Sequence, residues 1–157
     1  MSNKSNYTQF TAGQLHAFST KVFEYFGVPE ADALLASDVL SYSDIRGIDS
    51  HGIARLHTYF DMLSHQRINP KPNIKIARER KSAATVDGDN GLGLVVGPKA
   101  HQIALEKARE YGTGFISVNN TNHYGAAGYY AEKALEHDLV SWAMTNSTKL
   151  VAPLWGA

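Results

Sequence analysis

The stretch Asp49-Ser50-His51-Gly52-Ile53-Ala54-Arg55 sets a histidine and an arginine four residues apart, behind a serine that can cap a helix. A helix starting after Ser50 puts His51 and Arg55 on one face of its first turn, with Cβ atoms about 5–6 Å apart. That pairing suits one particular reaction. Reduction of a 2-oxo acid needs a cation to hold the carboxylate and an acid to protonate the carbonyl oxygen as hydride arrives. An arginine fork meets the first need and a histidine the second. The positive end of the helix dipole also favours an anion there. An ordinary capped helix with two solvated polar side chains satisfies the same spacing, and spacing alone favours that plainer reading.

A second stretch, Asn119-Asn120-Thr121-Asn122-His123-Tyr124-Gly125-Ala126-Ala127-Gly128, places a histidine between an apolar run beginning at Phe115 and a helical pattern. Backbone N–H groups at such a strand-to-helix turn can face a phosphate or an oxyanion. Gly125, Ala126 and Gly128 would let another backbone or a flat ring come close. A tightly packed turn explains these residues equally well. Gly91-Leu92-Gly93-Leu94-Val95-Val96-Gly97 has the outline of a dinucleotide fingerprint. Three residues rather than two precede its last glycine, however, and no acidic residue follows at the ribose position. It reads as a structural turn. No metal site is expected. His51, His57 and His65 fall on one predicted helix, too far apart in angle or height to share an ion. The absence of cysteine removes thiolate nucleophiles and disulfides, and no Gly-x-Ser-x-Gly elbow supports a serine hydrolase.

The elements that must position these residues follow from periodicity. Leu15, Phe18, Val22 and Phe26 predict a helix over 11–26, with Thr11 as N-cap and Gly27 as its stop. Pro29 opens a second helix, with Leu35, Val39 and Tyr42 inward and Gly47 at its end. A third, starting after Ser50, turns Leu56, Tyr59, Phe60 and Leu63 to the core. Asn69-Pro70-Lys71-Pro72-Asn73 marks a boundary between a helical part, 1–72, and a mixed part, 73–157. Strands are predicted over 74–78, 83–87, 115–118 and 140–145, and helices over 98–111 and 126–137. The fold class is therefore α/β of the α+β type. A formal charge of +0 with no block of like charge offers no nucleic-acid or anionic-membrane footprint. No apolar run reaches signal-peptide or membrane-span length, and a cytoplasmic protein is expected.

Three segments carry a resemblance: Ser43 to Leu56, Thr121 to Ala131, and Thr145-Asn146-Ser147. Together, and in this order, they resemble the malate/L-lactate dehydrogenase-like oxidoreductases, which lack a Rossmann fold. The likeness runs over residues 10 to 157. It implies a helical domain beside an NAD(P)-binding domain built on a mixed, mostly antiparallel sheet, and a homodimer. It implies that His51 is the proton donor or acceptor, with Ser50 as its hydrogen-bonding neighbour. Arg55 would bind the substrate carboxylate and Ser147 would touch substrate. His123, Tyr124, Gly125, Ala126 and Ala127 would line the cofactor, NAD or NADP. His123 competes with His51 for the proton-transfer role. The expected reaction interconverts a small 2-hydroxy acid, such as malate or lactate, and its 2-oxo acid. Family members run to about twice this length, the size of two domains rather than one. The chain is therefore expected to be a fragment, a truncated gene product or one chain of a cleaved enzyme. The alternative function is a non-catalytic remnant that folds only with another chain.

Overall fold

The computed structural model describes residues 8–146. Thr11 and Gln14 form a reciprocal capping box that starts α1, Ala12–Tyr25. Gly27, at φ 83°, turns the chain out of it. Pro29 caps α2, Glu30–Asp44, with Glu30 and Asp32 in its first turn. The predicted third helix is broken. Two 3₁₀ turns, Asp49–His51 and Ile53–Arg55, precede a shorter α3, Leu56–Ser64. Leu56, Tyr59 and Leu63 are buried as expected, but Phe60 is 44% exposed and packs edge-to-face with Phe26. Phe18, also expected inward, is 58% exposed, and Phe23 takes its place in the core.

After Pro70-Lys71-Pro72 the chain forms β1, Lys75–Arg80, and β2, Ala83–Gly91, paired antiparallel around a turn at Lys81-Ser82. Helix α4, Gly93–Tyr111, then crosses over to β3, Phe115–Thr121, which pairs parallel with β2. The sheet order is β1-β2-β3 and the sheet is mixed. Strand β2 alternates, burying Ala84, Val86 and Gly88, whereas every residue of β1 is exposed. Lys107 of α4 reaches under the hairpin, donating to Glu79 and to the Lys81 carbonyl at 2.7 and 2.9 Å. Helix α5, Ala127–Leu135, follows the His123 loop.

The expected strand over 140–145 does not form. Alternation alone builds no ladder, and among the described residues no strand lies beside it. Val140, Trp142 and Met144 stand 91, 86 and 79% exposed. Ser141 and Ala143 turn inward toward the α4–α5 side.

One apolar cluster joins both halves of the chain, running from Phe23, Val39, Leu40, Tyr59 and Leu63 to Leu92, Leu94, Val95 and Tyr130. Helix α4 connects the two halves. Its first turn packs among the helices, its later turns cover the sheet, and Lys99 pairs with Asp32 of α2 at 2.6 Å. Leu94 is fully buried at this junction. Truncating a core leucine costs about 2–5 kcal/mol. Leu94→Ala should lower unfolding stability by that amount in urea titrations, with the denaturant slope unchanged.

Candidate functional site

Asp44, the last residue of α2, accepts the Ile53 N–H with both carboxylate oxygens, at 3.0 and 2.9 Å. The break falls at Gly52, whose ψ of −143° is not helical, and the Asp44 bond across nine residues holds Ile53 just after it. Gly52 sits against the same carboxylate, and a Cβ there would overlap its oxygens. Burial pushes the Asp44 carboxyl up from its ordinary range, against the pull of the Ile53 hydrogen bond, and Asp49 adds to the rise. The expected helical face shared by His51 and Arg55 is therefore corrected. Each residue ends its own 3₁₀ turn. Ser50 does not cap a helix. Its hydroxyl lies 2.9 Å from His51 Nδ1, and its carbonyl accepts from Arg55 Nε at 3.1 Å.

The second histidine comes from the loop between β3 and α5. The His51 and His123 rings stand 5.5 Å apart, centroid to centroid, and are tilted by 31°. His123 Nδ1 lies 2.7 Å from the hydroxyl of Tyr59, a buried residue of α3, and accepts the Gly125 N–H at 3.2 Å. Partial burial holds the His123 pKa below the usual imidazole range, and the positive charges of Arg55 and His51 push the same way. Burial raises the Tyr59 phenol well above its ordinary value, so it remains a hydroxyl and a possible donor. Periodicity assigned Tyr59 to the core and gave no sign that its oxygen reaches a histidine 64 residues away.

The loop after His123 is packed more tightly than an open cofactor cradle. Asn122 Nδ2 donates to the Gly91 carbonyl at 3.0 Å and to Asn90 at 3.2 Å. Gly125, at φ 83°, is buried, and a Cβ there would stand 2.6 Å from Val39 Cγ1. The close approach expected at this glycine is made by α2. Ala126 is buried too, while Ala127 is exposed at the start of α5, where no side chain caps the helix. Tyr124 stacks on Tyr130 at 4.9 Å, and its buried hydroxyl has no hydrogen-bond partner among the described residues. A groove of about 520 Å³ runs beside α5, between Ala127, Gly128 and Ala131 on one side and Ser141 to Met144 on the other. The first turn of α4, where the glycine pattern lies, is closed. Gly93 packs against the carbonyls of Asn122 and His123. Ser147 lies outside the described residues. Among the described residues no three His, Asp or Glu side chains converge as metal ligands, and no helix is long and apolar enough to cross a membrane.

Three helices and two 3₁₀ turns thus carry one histidine toward another presented by a loop of a mixed α/β layer, an architecture other than a doubly wound nucleotide fold. The chain belongs to the malate/L-lactate dehydrogenase family, which it matches over residues 10–157. It is 48% identical over 151 residues to a malate dehydrogenase of Pyrococcus abyssi, an alignment covering 96% of this chain and 42% of that protein. It is 45% identical over 135 residues to an L-sulfolactate dehydrogenase of Methanocaldococcus jannaschii, covering 86% of this chain and 39% of the relative. The solved malate dehydrogenase of Pyrococcus horikoshii superposes with a TM-score of 0.82 at 42% identity, over 85% of this chain and 38% of that one. A Δ1-piperideine-2-carboxylate reductase of Pseudomonas syringae shares the fold, with a TM-score of 0.75 at 21% identity over 83% of this chain and 40% of that one. The chain spans about 40% of the length of these relatives.

The Asp44–Ile53 bond is directly testable. In Asp44→Ala, and in Gly52→Ala where the new methyl displaces the carboxylate, the Ile53 amide should lose its protection from hydrogen exchange. Overpacking of this kind also costs about 1–3 kcal/mol. Retained protection in both variants would show that something else holds the two turns.

Proposed function

We propose that this chain carries the proton-transfer and carboxylate-binding residues of an NAD(P)-dependent 2-hydroxy-acid dehydrogenase. The observation that carries the reading is the meeting of the His51 and His123 rings, 5.5 Å apart, with the Arg55 cation close enough to bear on His123. The reaction is 2-hydroxy acid + NAD(P)⁺ to 2-oxo acid + NAD(P)H + H⁺. Relatives named malate, sulfolactate and hydroxycarboxylate dehydrogenases support a small 2-hydroxy acid as substrate.

In this reading Arg55 holds the substrate carboxylate. Its Nε is already committed to the Ser50 carbonyl, which leaves the two terminal nitrogens to form the fork. His51 takes the proton from the hydroxyl in oxidation and returns it in reduction, steadied through Nδ1 by Ser50. Ser50 adds to the polar lining, and the family likeness assigns Ser147 to substrate contact. The uncapped start of α5, the exposed Ala127 and the groove beside them fit a dinucleotide, either NAD or NADP. His123 and Tyr124 would form the near wall, with Gly125 and Ala126 supporting it from behind. When bound, the nicotinamide gives or takes the hydride. Residues 1–72 belong to the helical catalytic part and 73–157 open the cofactor-binding sheet domain. A homodimer in the cytoplasm completes the reading.

Oxidation of NADH and NADPH, followed at 340 nm with pyruvate, oxaloacetate and other 2-oxo acids, tests the proposal in a polypeptide containing these residues. Arg55→Lys should chiefly raise KM, because an ammonium cannot reproduce the planar fork. His51→Ala should lower kcat by about 10²–10⁴-fold. If His51→Ala keeps most of the activity while His123→Ala abolishes it, the proton belongs to His123. An unchanged KM for every 2-oxo acid would remove Arg55 from the site.

A further inference from the structure

Two donors converge on one nitrogen of His123. The Gly125 N–H points at Nδ1 from 3.2 Å, and the Tyr59 oxygen lies 2.7 Å from the same atom. A backbone N–H can only donate, so a proton on Nδ1 would face another proton. With Nδ1 accepting, the Tyr59 hydroxyl donates to it as well, and the ring proton resides on Nε2. The groups facing the ring oppose a second proton. Arg55 from one 3₁₀ turn and His51 from the other both bring positive charge, and Tyr59 stays uncharged.

His51 is differently placed. Its Nδ1 partner is a serine hydroxyl, which can accept as readily as it donates, so His51 can take up and release a proton without breaking that contact.

We infer that the two histidines divide the work: His123 is held neutral, its proton on Nε2, as a hydrogen-bond donor to the substrate oxygen, while His51 alone moves the proton. Tyr59 is then a positioning residue acting through His123. The inference deepens the dehydrogenase reading and rests on it for the identity of the oxygen. A neutral imidazole is a very weak acid but an effective hydrogen-bond donor to an oxygen gaining negative charge. The arrangement also settles how two rings 5.5 Å apart avoid carrying like charge together.

Imidazole ¹⁵N NMR on the whole polypeptide reads the ring directly. At neutral pH, His123 should show an unprotonated Nδ1 and a protonated Nε2, and Nδ1 carrying the proton would overturn the inference. Tyr59→Phe keeps the buried ring and removes only the donor. It should raise the His123 titration midpoint and lower kcat roughly 3- to 10-fold, the range one hydrogen bond commands. A midpoint and tautomer unmoved by Tyr59→Phe would reduce Tyr59 to a packing residue. The pH profile of kcat/KM supplies the third arm. His123→Gln, whose amide can still donate, should lose rate but keep the neutral-range break, whereas His51→Gln should erase the break. The opposite pattern would assign proton transfer to His123 and sink the division. The NMR result needs no turnover. A ring locked as described in a polypeptide that reduces no 2-oxo acid would count against the dehydrogenase reading and leave the locked ring standing.

Discussion

The carboxylate of Asp44 anchors the site, because it holds the Ile53 amide just after Gly52, where non-helical backbone separates the two 3₁₀ turns. An uninterrupted helix from Ser50 to Ser64 would advance about 1.5 Å per residue and turn His51 by a fixed angle from Tyr59. The interruption frees the 49–55 segment from that geometry. It leaves Tyr59 in regular helix, bedded in the core against Phe23, while His51 comes round to face the same partner. The bond is partly buried and charge-assisted, the kind that remains strong when water is excluded. Gly52 is its steric counterpart, since no side chain fits between the turn and the carboxylate.

Around that anchor the electrostatics point one way. Arg55, His51 and His123 bring cationic or donor groups together, while Asp44 spends both oxygens on backbone. The one other acidic residue noted close by, Asp49, lies in the first 3₁₀ turn and raises the Asp44 pKa instead of pairing with a histidine. Burial, with the Arg55 and His51 charges behind it, holds the His123 pKa low.

Much of the fold was legible in the residues. Thr11, Gly27 and Pro29 mark helix ends by local chemistry that needs no distant partner, and the structure places those ends within a residue or two of expectation. The strands at 75–80, 83–91 and 115–121 were also placed, though each runs longer than its apolar core suggested. The early start of α4 was missed because Gly93 and Pro98 look like breakers. Gly93 is required by the carbonyls of Asn122 and His123, and Pro98 falls in the second turn of the helix. The strand at 140–145 was overread, because alternation reports a two-faced segment and says nothing of a neighbour. At the site, the sequence offered His51, Arg55 and His123 as candidates and the structure brings the two histidine rings near each other, but neither the Asp44 bond nor the Tyr59 contact was legible. Both join residues that no local periodicity relates.

The His123 loop is held by its neighbours and its backbone. Asn122 ties it to Asn90 and Gly91, and the carbonyls of Asn122 and His123 rest on Gly93. The exposed imidazole adds to that anchorage, since its Nδ1 accepts the Gly125 N–H and lies 2.7 Å from the Tyr59 hydroxyl. Replacing the ring would therefore remove two ties of the loop together with a titratable group, so chemistry and local order change at once at this position.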